Sequence, residues 1–455
     1  MTLTDSRLPP PPPEAPPPWS GGGPSPEPDE PVTVAGRRLS ARVIAVAVAV
    51  ALVLAGNAAA LVLVGRDDEQ VAGPPPTPAP TTTAAPDVAP PSAPSPDIPP
   101  PVAETTSTTV ADTPLGRTVA ELSAFVADQR ELEFLRPVDV ELLDDDAFVD
   151  RLLAGSEENR AETDETEQVL RALQLIEPGV DLFDTFVSFY GAAVLGFYDP
   201  ETDELVLRGR ELTPYVRSTL VHELSHALDD QHFELHRPEV DEADDESALA
   251  FSALIEGVSV SIENAYTATL SSADQEQASR EAAEFSRRAG SSPIPSIVTQ
   301  LAQFPYLFGP FFVGALVEEG REPRVDAAFR DPPATSEEIL DPSVYLGGEA
   351  PVAVPQPADE GLRRIDQGTY GQWALYLTLD HFLDSEIADA ASDGWGGDSY
   401  VAWDEGGRAC VRMAYVMDSP TDLNELDSAW RAWAEAHGDA TVARDGEVVT
   451  VTACG

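Results

Sequence analysis

The chain has 455 residues, of which 80 are Asp or Glu and 27 are Lys or Arg, giving a formal net charge of −53. Every one of the 27 basic residues is arginine, and no basic stripe of the kind that neutralises phosphates is present, which excludes nucleic acid as the main partner. Two cysteines, Cys410 and Cys454, are too few for a multi-disulfide scaffold or a thiolate zinc site.

Of the 43 prolines, 12 fall in residues 1–31 and 13 in residues 71–101. Residues 1–40, with a five-proline run and three consecutive glycines, read as a disordered Pro-rich cytoplasmic tail. Residues 41–65 read as a transmembrane helix. Positions 43–64 hold no charge and one polar residue, Asn57. At about 1.5 Å per residue that run spans roughly 33 Å, the thickness of a hydrocarbon core. Arg37, Arg38 and Arg42 precede the span, whereas Asp67, Asp68 and Glu69 lie beyond it. The positive-inside rule then keeps the amino terminus in the cytoplasm and puts the rest outside, as a single-pass cell-membrane protein. The long region before the apolar run, and the length of the run, argue for an uncleaved anchor over a signal peptide. Residues 66–115, rich in Pro, Thr and Ala, read as a disordered, extended stalk. Nearly all of the net charge lies past the span, since residues 1–65 carry five acidic and four basic residues.

Residues 116–455 are expected to form one extracellular domain of the α+β class, mainly helical, with a small α/β tail from about residue 395. Val119, Leu122, Phe125 and Val126 share one helical face, and residues 146–153 and 165–176 repeat the pattern. Residues 192–198 and 204–207 flank an Asp-Pro turn and predict a β-hairpin. Helices are predicted over residues 214–231, 246–270, 274–288 and 294–317. The last holds Phe304, Tyr306, Phe308, Phe311 and Phe312, read as packed core with a substrate groove as the alternative. Beyond residue 398 come two strand-like segments, a helix over 421–437 and a hairpin turned by Asp445 and Gly446. Cys410 and Cys454 would lie in strands of one small sheet, where a disulfide is geometrically reasonable in an oxidising compartment.

Four of the six histidines lie between positions 222 and 236. His222, Glu223 and His226 form an H-E-x-x-H pattern on a predicted helix. At about 100° per residue the two histidines are one turn apart on one face, so both imidazoles can meet one metal ion. Glu223 adjoins that face and is the candidate general base toward a metal-activated water. A catalytic zinc takes three protein ligands. Glu256, alone in an otherwise apolar helical stretch, is the choice for the third, because an unpartnered carboxylate there would be costly. Glu263, His232 and His236 are weaker alternatives. Asp230, four residues after His226, is a candidate to hold an imidazole N–H, and Asp229 competes for His222. Tyr198, Tyr345 and His232 are candidates for the oxyanion donor.

The segments GFYDP (residues 196–200), TLVHELSHALDDQHF (219–233), ALIEG (253–257), FPY (304–306), PPATSEEILDP (332–342) and GWGGD (394–398), with Tyr345, carry a resemblance. The chain resembles a bacterial family of membrane-anchored or secreted proteins with a gluzincin-type, peptidase-MA-like zinc domain, largely uncharacterised. The resemblance implies a thermolysin-like HExxH core with Zn2+ on His222, His226 and Glu256 and Glu223 as the catalytic carboxylate. It also implies an edge strand that captures an extended peptide. The chain departs from the family at Val258 and Ser259, where an acidic residue and Ala are usual, at Asp341 where His is common, and at Gln372 where Glu is common. The expected function is therefore a membrane-anchored zinc metallopeptidase acting on peptide bonds of extracellular or cell-envelope proteins. The alternative is a catalytically silent ectodomain that binds a cell-envelope partner. The sequence sets no oligomeric state.

Overall fold

Thr113 accepts a hydrogen bond from the Gly116 amide, and Pro114 fills the first turn of the helix that follows, so in the computed structural model the fold begins with a well-capped α1 (Pro114–Arg130). The structure describes residues 113–241, 245–289 and 294–455. The tail, the membrane span and the stalk assigned to residues 1–112 lie outside the described residues. Helix α1 starts at Pro114, slightly earlier than the boundary at residue 116.

After α1 come β1 (Val140–Leu143), α2 (Asp145–Leu152), α3 (Arg160–Ala172), α4 (Leu182–Ala193), β2 (Gly196–Asp199) and β3 (Glu204–Arg208). The strands form a sheet of order β1-β3-β2, with β1 parallel and β2 antiparallel to β3. The hairpin is present but shorter than predicted, because residues 192 and 193 close α4 and the strand opens at Gly196. Neither α4 nor β1 was expected. The α4 sequence is apolar without a clear period, and it becomes helical through burial of Leu182, Phe183 and Phe189 and an N-cap at Asp181.

Next come α5 (Pro214–Phe233), α6 (Asp245–Thr269), α7 (Ser272–Ala289), α8 (Ser296–Gly320), α9 (Glu322–Arg330), α10 (Ser336–Leu340) and α11 (Pro342–Gly347). By length and composition α6 and α8 could each cross a membrane, but α6 is a core helix packed on α5. Helices α6 and α8 cross backbone against backbone. A Cβ placed on Gly309 would lie 2.1 Å from the Ala253 carbonyl oxygen, and one on Gly257 would lie 2.4 Å from the Gly309 carbonyl. Of the aromatic run on α8, Phe304 and Phe312 are fully buried, whereas Phe311 is 59 % exposed. Buried Arg130 of α1 ties this layer together by pairing with Asp229 on α5 and with Glu322 and Asp326 on α9.

The remainder comprises β4 (Arg363–Gly368), α12 (Gly371–Asp380), α13 (Ser385–Ser392), β5 (Trp395–Asp404), β6 (Ala409–Met417), α14 (Pro420–His437), β7 (Ala440–Asp445) and β8 (Val448–Cys454). Its antiparallel sheet has the order β4-β5-β6-β8-β7. Cys410 faces Cys454 in register and is disulfide-bonded to it. The fold is thus α+β and mainly helical with a small C-terminal sheet. That sheet begins at β4, earlier than residue 395. It is not an independent tail, since Val169, Leu170 and Ala172 of α3 share its core with Trp395, Tyr415, Trp430 and Trp433.

Candidate metal centre

Helix α5 is buried on nearly every side, with Leu220, Val221, Leu224, Ala227 and Leu228 all enclosed, so it runs through the core rather than along its surface. His222, Glu223 and His226 are carried inside with it, at 0 %, 0 % and 2 % exposure. Helix α6 packs across α5 and presents Glu256, Ser259 and Glu263 at i, i+3 and i+7. His222 Nε2 lies 3.1 Å from Glu256 Oε2, and His226 Nε2 lies 3.8 Å from Glu256 Oε1. The three ligand atoms fall within 4.8 Å of one another.

The outer nitrogens of both imidazoles face α6. His226 Nδ1 is 3.1 Å from the Ser259 hydroxyl. His222 Nδ1 is 3.3 Å from Glu263 Oε2, without the alignment of a full hydrogen bond. Neither Glu223 oxygen meets a donor at full hydrogen-bond geometry, although the Tyr198 backbone amide is turned toward the carboxylate. Burial pushes Glu223 up to about 8, with neighbouring His222 opposing and Glu256 adding to the shift. Burial also raises Glu256 to about 7, against hydrogen bonds from His222 and the Tyr306 phenol. His226 is held well below the usual imidazole range by burial, and then by His222.

Strand β2 reaches this cluster because Gly196 has no side chain: a Cβ there would meet Leu207 at 2.6 Å, Thr219 at 2.9 Å and Glu223 Cγ at 3.4 Å. The strand lies at an edge of its sheet, paired on one side with β3.

His222, Glu223, His226 and Glu256 are therefore brought together, Glu263 reaches His222 from its far side, and the remaining candidates bond elsewhere. Asp230 accepts from the Tyr198 hydroxyl at 2.7 Å and from the Leu235 amide at 2.9 Å, so it holds the hairpin and the end of α5 rather than an imidazole. Asp229 is taken by Arg130. Glu263 sits behind His222 rather than among the ligands. Each of the three oxyanion candidates has a polar partner away from the cluster. Tyr198 donates to Asp230, Tyr345 donates to the Asp331 carbonyl at 2.7 Å, and His232 lies 2.8 Å from the Glu133 carbonyl. His236 is next to Glu201. Sequence reasoning missed Ser259 and Tyr306 as partners of the cluster. The i+3 spacing of Ser259 from Glu256 was the available signal, whereas Tyr306 was marked only as part of the aromatic run, and its pairing with Glu256 spans 50 residues of sequence.

The donor set suits a borderline-soft divalent cation. Two imidazole nitrogens and a carboxylate at about 2.0 to 2.1 Å from zinc in a tetrahedral site would lie about 3.3 Å apart, close to the spacings found here. His226 Nε2 and Glu256 Oε1 lack hydrogen-bond partners at that position, and no arginine pairs with Glu223 or Glu256 among the described residues. Glu405, Cys410 and Cys454 also converge, but the disulfide consumes both thiols. No curated protein and no solved structure matches the chain. Residues 360–454, the segment from β4 to β8 that leaves the cluster outside, match a family described as a domain of unknown function (DUF8575).

Proposed function

We propose that the domain is a zinc metallopeptidase held at the outer face of the cell membrane by residues 41–65, acting on peptide bonds of extracellular or cell-envelope proteins. The observation that carries this reading is the buried convergence of His222, His226 and Glu256 around unpartnered polar atoms, with Glu223 beside them. His222, His226 and Glu256 would hold the ion in a thermolysin-like arrangement. When bound, zinc supplies a Lewis acid for the scissile carbonyl and lowers the pKa of its water to about 7. Glu223, with neither oxygen committed to a side chain, takes the proton of the attacking water and returns it to the leaving amine. Glu263 and Ser259 fix the two imidazole rings from behind. The outer edge of β2 beside α5 would offer main-chain groups to an extended peptide once the elements that bury it move.

One observation favours the second reading, a catalytically silent domain that binds an envelope partner: Glu223 is wholly buried, so a substrate reaches it only after neighbouring elements move. The purified chain is expected to hold one zinc that a chelator releases, and a metal content near zero would sink both readings. Glu223→Gln is expected to abolish cleavage of a peptide library with zinc retained. Equal cleavage signals from wild type and variant would leave the binding reading alone.

A further inference from the structure

Helix α8 is covered by the core on one side and bare on the other. Residues 296–317 hold no charged side chain, in a chain of net charge −53, yet Leu307, Phe311 and Val317 are exposed. Leu307, Phe311 and Gly314 fall at i, i+4 and i+7 and so share one outward face. Gly309 is required by the crossing with α6, whereas nothing lies within 4 Å of where a Cβ on Gly314 would sit. Contacts within the chain therefore leave Gly314 unexplained, since a glycine in an exposed helix interior lowers helix stability relative to alanine. The missing side chain does leave an opening. Gly314 and Val317 edge a groove of about 260 Å³ that is also lined by Val258, Ile262, Val313 and Val325, all four of them buried. The two charged residues in its wall, Arg130 and Glu322, are paired with each other. A cavity of about 150 Å³ already accepts a benzene ring, so the groove has room for a phenyl side chain.

We propose that this face pairs with the same face of a second copy, Phe311 of each chain covering Gly314 of the other. A two-fold axis between positions 312 and 313 runs the two α8 helices antiparallel and sets position 311 opposite position 314 in both directions. Knob and opening lie on one helix and satisfy each other under a single symmetry operation. Charge selects the same partner. Two chains of net charge −53 repel wherever their acidic surfaces meet, and they touch at a face that carries no charge. A basic foreign partner is met best by carboxylates, which this face does not offer. A bilayer suits it less as well: helices that lie on membranes carry Lys or Arg beside the apolar face, and the residues that follow this one are Glu318 and Glu319, both exposed. The pairing depends neither on the metal centre nor on the peptidase reading.

The test is sedimentation equilibrium of the full chain in a density-matched detergent. A concentration-dependent dimer is expected, and it should tighten as sodium chloride rises from about 50 to about 500 mM, because salt screens like charges. Gly314→Leu fills the opening with a better helix former, so it is expected to melt no lower than the wild type and to weaken the dimer at least tenfold. Phe311→Ala is expected to weaken it as much, whereas Ile387→Ser, at an exposed apolar position on α13, leaves it unchanged. A chain that stays monomeric, or a dimer that either α8 variant leaves at wild-type strength, would overturn the proposal. Glu318→Cys, at the rim of the face, carries a fluorophore for a second readout in vesicles and is expected to escape quenching by brominated lipid. Quenching there would assign the face to the bilayer and overturn the pairing as well.

Discussion

Asp398 in β5 of the C-terminal sheet and Glu223 in α5 are both buried carboxylates, 5 % and 0 % exposed, and the fold surrounds them in opposite ways. Asp398 accepts from the Tyr370 amide at 2.7 Å, the Gly371 amide at 2.8 Å and the Trp395 indole at 2.9 Å, which pins the start of α12 to β5. Gly397 beside it lets another segment pack against β5, since it has φ +153° and a Cβ there would lie 2.3 Å from the Val352 carbonyl oxygen. The GWGGD segment is thus structural in this fold. Glu223 has no comparable set of donors, and the charged groups around it are the His222 imidazole and the carboxylates of Glu256 and Glu263. A buried carboxylate with its acceptors satisfied stabilises a joint. One left open costs stability, and proteins keep such groups where a ligand or a proton completes them.

The largest expected effect lies on the open side. Zinc added to the chelator-treated chain at about 1,000 times its dissociation constant should raise the unfolding free energy by about 4 kcal/mol, and Glu256→Gln should lose most of that gain. Identical melting curves with and without zinc in the wild type would remove the distinction between the two carboxylates.

On the satisfied side, Asp398→Ala leaves three donors without their acceptor. It should cost on the order of 3 kcal/mol in urea unfolding, with the zinc content of the folded fraction unchanged. A cost near zero would mean that the joint is held by packing alone. The sign should reverse at Glu223. Glu223→Leu removes an unsatisfied buried carboxylate and should stabilise the metal-free chain by about 1 kcal/mol, the usual trade of stability against a functional group. Destabilisation of the metal-free chain by that substitution would place Glu223 in the same class as Asp398.

The same contrast governs how much could be read in advance. His222, Glu223 and His226 were legible because helical geometry alone puts them on one face. Glu256 was legible because a lone carboxylate in an apolar helix needs a partner. The long helices α5 to α8 and the last two strands followed from period and turn chemistry. The pairing of Asp230 with Tyr198 was not legible, because it crosses a hairpin-to-helix contact that no local pattern encodes. Helix α4, β1, β4 and the α3 contribution to the C-terminal core likewise depend on long-range burial.

The smallest expected effect concerns a carboxylate of a third kind, partly exposed and crowded by its own sign. Glu337 on α10 is pushed up to about 8 by burial first, with Asp418, Glu349, Glu338 and Asp341 adding to the shift. A carboxyl whose folded pKa lies above its unfolded value binds its proton more tightly in the folded chain. Its contribution is therefore full below about 4.5 and is lost as pH rises through about 8. Solvent screens the group, so the effect should be slight. Urea unfolding at pH 5.5 and pH 8 should show a smaller loss of stability on alkalinisation in Glu337→Gln than in the wild type. A parallel loss in the two would show that water already relieves the crowding. Glu223, wholly enclosed, would then be the better measure of what an unmet charge costs this fold.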